Sequence, residues 1–181
     1  MTRFLRSLPI LAAAFAAGAA NAQSAGETSL AFSVEYGVRM GVSLSLKTFV
    51  ADQVALRCTA TGNAGIYAAS CGAQRYGVFS EQTFVGVDIG GTTIRFNTDS
   101  TARRENRFPA PRRYAFAAAA LGVQGRWYRL EEIRPYLALG PALAIGEGAD
   151  EIARLAGVPS FGRVQPLYTL EGGLEFFAVS H

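Results

Sequence analysis

Hydrophobic and polar positions alternate without a break over Ser29–Lys47. The even positions carry Leu30, Phe32, Val34, Tyr36, Val38, Met40, Val42, Leu44 and Leu46, while the odd positions carry small or polar residues, Glu35 and Lys47 among them. A period of two places all the apolar side chains on one face of a pleated strand. The pattern predicts a sheet whose two sides differ chemically. It leaves open which side meets water. After Asp52 and Gln53 the even parity resumes with Val54, Leu56, Cys58 and Ala60.

The alternation recurs to the end of the chain. Thr61–Gly65 reads as a turn and Ile66–Val78 as a strand of smaller residues. Thr83–Asn97 reads as a hairpin on Gly90-Gly91, which pairs Val87 with Ile94 and puts Asp88, Thr93 and Arg95 on the opposite face. Thr98–Pro111 is a polar, arginine-rich loop. Arg112–Leu130 resumes strand character, with Tyr114, Phe116, Ala118 and Ala120 on one parity and a shift near Gly122 that suggests a bulge. In Tyr136–Ile145, Pro141 marks a kink or bulge. Gly146–Gln165 is a second long loop containing a short helix over Ala149–Leu155, stopped by Gly157 and Pro159. Leu167–Ser180 closes the series.

These segments predict an all-β fold, an antiparallel up-and-down barrel of about eight strands: 29–38, 41–60, 65–78, 82–90, 92–98, 112–129, 134–146 and 166–179. Nine or ten shorter strands also satisfy the pattern. With eight, both long loops, 98–111 and 146–165, fall at one end, and Thr61–Gly65, Gly90-Gly91 and Glu131–Pro135 fall at the other. Bacterial outer-membrane barrels have this asymmetry of long loops and short turns.

Residues 1–22 read as a cleaved signal peptide: Arg3 and Arg6, an apolar run over Leu8–Ala17, and Ala20-Asn21-Ala22 as the cleavage site. Residues 23–181 then form one barrel domain. Removing Arg3 and Arg6 lowers the net charge from +3 to +1, which gives no reason to expect nucleic acid as a partner. Charged residues make up 17% of the chain, against about a quarter in ordinary soluble domains. Export makes a disulfide the first reading of Cys58 and Cys71, the two cysteines. A turn on Ala64-Gly65 sets them directly opposite on one face. His181 is the single histidine, and no metal or other cofactor is expected.

The signal peptide, the Ala/Gly/aromatic strands, the segment Arg134-Pro135-Tyr136-Leu137-Ala138-Leu139-Gly140 and the later Gly172-Gly173-Leu174-Glu175-Phe176 resemble small eight-stranded bacterial outer-membrane β-barrel proteins. The resemblance implies an outer-membrane location and a non-enzymatic role in envelope structure or surface interaction. It also implies a monomer, with outer-membrane lipid, lipopolysaccharide included, and the barrel-assembly machinery as partners. Such barrels usually end on an aromatic residue; here Phe176 and Phe177 precede Val179-Ser180-His181.

Glu35, Lys47, Arg57, Arg95, Glu171 and Glu175 lie opposite the apolar faces of their strands. In a narrow barrel they form a lumen charge network, because a buried charge without a partner costs several kcal/mol. Arg103, Arg104 and Arg107 are candidate contacts for lipopolysaccharide phosphates. Two further motifs carry less. Val87–Arg95 resembles the phosphate-binding hairpin of actin-like sugar kinases, but the chain is too short for two ATPase domains and is exported away from ATP. Ser180 and His181 are adjacent and point to opposite faces of a strand, which does not suit a nucleophile and its base. The alternatives are a soluble periplasmic barrel with its apolar face inward, binding a hydrophobic ligand, and an outer-membrane lipid-modifying enzyme.

Overall fold

The computed structural model describes residues 25–63, 65–96, 107–125 and 132–177. The expected signal peptide, Arg103, Arg104 and the Ser180–His181 pair lie outside the described residues.

The chain forms a closed antiparallel barrel of eight strands in sequence order, β1 pairing with β8. The strands are β1 (Thr28–Gly37), β2 (Gly41–Ala51), β3 (Val54–Asn63), β4 (Ile66–Tyr76), β5 (Thr83–Phe96), β6 (Arg107–Gln124), β7 (Ile133–Gly146) and β8 (Val164–Phe177). Among the described residues there is one helix, α1 (Ala149–Leu155), between β7 and β8 where the sequence places it.

The strand count agrees with expectation, but two of the boundaries do not. The segment 41–60 is two strands, reversed at Asp52-Gln53. Gln53 turns with φ 61°, a conformation uncommon for a residue with a Cβ, so the reversal lacks the usual glycine signal. In the other direction, Gly90-Gly91 is no turn. β5 runs straight through both glycines, with Gly90 opposite Ser70 on β4 and Phe116 on β6. A Cβ at Gly90 would lie 2.3 Å from the Ala69 carbonyl oxygen and 2.7 Å from the Phe116 ring. Glycine is needed there for close packing rather than for a bend. Val87 and Ile94 are therefore not paired, and they face opposite sides of the wall.

The connections sort accordingly. The β1–β2, β3–β4, β5–β6 and β7–β8 connections share one end, so the short turn after Asn63 sits with both long loops. Residues 52–53, 77–82 and 125–132 connect strands at the other end. The parity of β6 does not shift at Gly122; register irregularities fall instead between Phe49 and Ala51 and between Ile94 and Phe96. Pro141 causes no register shift, and pairs with Tyr168 in an unbroken β7–β8 ladder.

The even-numbered apolar side chains of β1–β3 point out of the barrel: Val34 is 65% exposed, and Leu44, Leu46 and Leu56 are likewise exposed. On β6 the aromatic parity, Tyr114 and Phe116, points in. The interior is filled in three tiers. At the long-loop end, Val38, Met40, Ile94, Tyr114 and Phe116 pack against Ala149, Ile152 and Ala153 of α1. At the other end, Phe49, Tyr76, Phe84 and Tyr136 form an aromatic cluster. Buried polar and charged groups lie on the inner face as well.

Candidate functional site

Most of the inner charges fall into two connected groups; Arg134, also buried, stands over the Phe177 ring. In the larger, Arg57 of β3 is the centre. Its Nη1 donates to both carboxylate oxygens of Glu171 at 2.9 Å, and its Nη2 donates to Asp88 Oδ2 at 2.5 Å. Arg39, in the β1–β2 turn, reaches inward and is 1% exposed. Its Nε lies 2.9 Å from Glu35 Oε2, and its Nη2 lies 3.6 Å from both Asp88 and Glu171. Neutral donors add to the carboxylates' contacts. Tyr136 donates to Glu171 at 2.6 Å, Ser33 donates to Glu171 at 3.2 Å, and Thr61 donates to Glu35 at 2.9 Å.

The smaller group centres on Glu175. Lys47 Nζ donates to its Oε2 at 2.8 Å, Gln124 Nε2 at 2.5 Å, and Ser29 donates to the other oxygen. Lys47 also donates to the Tyr76 hydroxyl, which in turn donates to Gln74 at 2.9 Å.

Local sequence explains how these side chains fit inside so narrow a barrel. Apart from Arg39, which reaches in from the β1–β2 turn, each lies on the inward parity of its strand. Gly72 faces Asp88 across the β4–β5 ladder, and a Cβ there would sit 2.3 Å from Asp88 Oδ1. The glycine leaves the space that the carboxylate occupies. Opposite charges packed this closely offset the desolvation each would otherwise suffer alone.

Of the six residues expected in this network, Glu35, Lys47, Arg57, Glu171 and Glu175 are buried inside the barrel. Arg95 is not. Because β5 does not turn at Gly90, its inward parity continues through Asp88, Thr92 and Ile94, and Arg95 falls on the outer face, with its guanidinium 5.7 Å from the centre of the Tyr67 ring. Asp88, which the expected hairpin also placed on the polar face but which was not counted in the network, pairs with Arg57 and Arg39 inside the barrel. Arg39 was also missed: it shares Glu35's parity, but it lies in a turn, where alternation carries no information. Arg107 opens β6, and its side chain lies outside the described residues.

Cys58 and Cys71 are bonded, as register partners on β3 and β4 with Cα atoms 4.1 Å apart. The bond sits on the outer face of the wall.

That outer face is the inner one's opposite. Ile89 is 70% exposed, and the exposed apolar set runs round the barrel through Phe32, Val42, Val87, Leu139 and Leu170. Among the described strand residues the outward-facing charges are Arg75, at the short-turn end, and Arg95 and Arg113, at the long-loop end. Tyr36, Tyr67 and Tyr168 also face outward at the long-loop end.

No family model and no curated protein sequence matches the chain. Among solved structures, the N-terminal β-barrel domain of Pseudomonas aeruginosa OprF is similar at TM-score 0.54 and 13% identity, over 86% of this chain and 100% of that one. A chain from work on the de novo design of transmembrane β-barrels is similar at TM-score 0.41 and 15% identity, over 87% of this chain and 100% of that one. The likeness to the OprF domain is one of fold: a closed antiparallel barrel of eight strands.

Proposed function

We propose that this chain is an outer-membrane barrel whose role is structural, in the envelope itself or in contacts at its surface, and which does no chemistry. One observation carries the reading. The wall is apolar outside and charged inside, and among the described residues the outward charges are confined to the two rims. A barrel in water would have the reverse arrangement, because a continuous exposed apolar band of this extent is not stable in an aqueous monomer. In lipid it is the solvent-matched surface, and closure of the sheet satisfies every backbone ladder. A soluble barrel binding a hydrophobic ligand would need its apolar face inside, and the exposure of Val34, Val42 and Ile89 argues against that arrangement.

The filled interior supports a wall-like rather than a conducting role. Apolar clusters at both ends enclose the ion pairs, and α1 packs into the long-loop end. In this reading residues 1–22 direct export, the assembly machinery inserts the barrel, and the long-loop end faces outward carrying Arg103, Arg104 and Arg107 toward lipopolysaccharide.

Fractionation tests the proposal. The wild-type chain is expected to pellet with outer membranes, to need detergent for extraction, and to change gel mobility on boiling. Recovery as a folded monomer in the detergent-free periplasmic fraction would overturn it.

A further inference from the structure

At one place on the outer wall, charge and shape change together. Tyr67, Thr93 and Arg113 lie side by side in the ladders of β4, β5 and β6. Arg95 is the next outward residue of β5 beyond Thr93, at the irregularity in the β5–β6 register. Stacking over Tyr67 holds the Arg95 guanidinium in place. The neighbouring Arg112 lies 3.6 Å from Asp150, whereas Arg95 and Arg113 have no carboxylate partner among the described residues.

Immediately beside these arginines, toward the middle of the barrel, the wall is hollowed. Ala60, Ala69, Cys71 and Ala115, with the larger Leu46 and Ile89, line a depression in the wall. Leu30 of β1 and Leu44 of β2 line the depression as well.

We propose, on the outer-membrane reading given above, that this is a site for one phosphate-bearing membrane lipid: Arg95 and Arg113 hold the headgroup phosphate, and an acyl chain lies along the depression. Guanidinium forks match phosphate oxygens in charge and geometry. Small side chains lining the depression let a hydrocarbon chain approach closely along its length, gaining many weak contacts at once. Inorganic phosphate meets only the arginines, and a phosphate-free lipid meets only the depression, so the full site selects a molecule with both parts. Because Arg95 is already held by Tyr67, less side-chain freedom is lost on binding.

The test uses the full chain extracted from membranes into a neutral alkyl-maltoside micelle, with binding read by native mass spectrometry. The probes are diphosphoryl lipid A, its phosphate-free counterpart and inorganic phosphate. Diphosphoryl lipid A is expected to bind one to one, and about tenfold or more tighter than the phosphate-free form, as the loss of charge-assisted contacts implies. Arg95→Gln/Arg113→Gln removes that preference. Ala69→Leu/Ala115→Leu fills the depression and weakens both lipids while leaving the arginines in place. An unchanged preference in the arginine variant overturns the site, as does unchanged lipid binding in the leucine variant. Gel mobility with and without boiling, read on the same samples, separates the two levels. A heat-shifting wild type without the phosphate preference removes the lipid site and leaves the membrane barrel standing. A chain that needs no detergent removes both.

Discussion

Arg57 and Glu171, on β3 and β8, meet across the interior of the barrel, one guanidinium nitrogen lying 2.9 Å from each carboxylate oxygen. No backbone ladder joins these two strands, so the pair ties together opposite parts of the wall. Removing one partner leaves the other charged and buried. Glu171→Leu is therefore expected to lower the stability of the folded barrel by about 3–5 kcal/mol. Arg57→Met/Glu171→Leu removes both charges and should cost clearly less than the sum of the two single changes. Denaturant titration in micelles, followed by gel mobility, measures all three variants. Strict additivity would show that the pair contributes no coupling.

Gly90 and Gly91 make a second test, because they look alike in sequence and differ in the fold. A Cβ at Gly90 would collide with the Ala69 carbonyl and the Phe116 ring, while at Gly91 the nearest atom is 3.8 Å away. Gly90→Ala is expected to destabilise by about 1–3 kcal/mol through overpacking, and Gly91→Ala to stay within about 0.5 kcal/mol of wild type. Melting temperatures in micelles would settle it. Similar losses at both positions would favour a tight turn, where each residue needs positive φ.

The same glycines mark where the sequence stopped being legible. Alternation is a local signal, and it put Glu35, Arg57, Glu171 and Glu175 on the correct side of their strands without any knowledge of partners. Whether Gly90 bends depends on Ala69 and Phe116, which β4 and β6 bring alongside only after the barrel closes. The break at Asp52-Gln53 was visible, but its being a full reversal was not, for the opposite reason: a residue with poor turn preference is held there by pairing on both sides. The two errors cancelled in the strand count but not in the site, where the false turn sent Arg95 inside. Arg39 was illegible because turns have no period to read.

The Cys58–Cys71 bond crosses β3 and β4 with a sequence separation of 13. On the chain-entropy account, closing so short a loop stabilises by about 3 kcal/mol. Cys58→Ala/Cys71→Ala should lower the denaturant midpoint accordingly and still insert, since the β3–β4 register runs from Val54–Arg75 to Asn63–Ile66 without these side chains. Thiol alkylation and mass spectrometry of the exported wild type should find both cysteines blocked. Two free thiols would contradict the bond.

Phe32 supplies the sharpest test of what surrounds the barrel, because its side chain is half exposed on the outer face and packs edge-on against Phe176. In water, an arginine at such a position would be nearly neutral, and would reduce the apolar surface. In hydrocarbon, an outward arginine near the midplane costs about 2–4 kcal/mol. Phe32→Arg is thus expected to reduce the amount of folded protein in the outer membrane, whereas Glu35→Gln, on the inward face of the same strand, should leave insertion intact and disturb only the contacts to Arg39 and Thr61. The heat-shifting fraction recovered from membranes reads both variants side by side. If Phe32→Arg accumulates and folds like wild type, the outer face does not meet lipid.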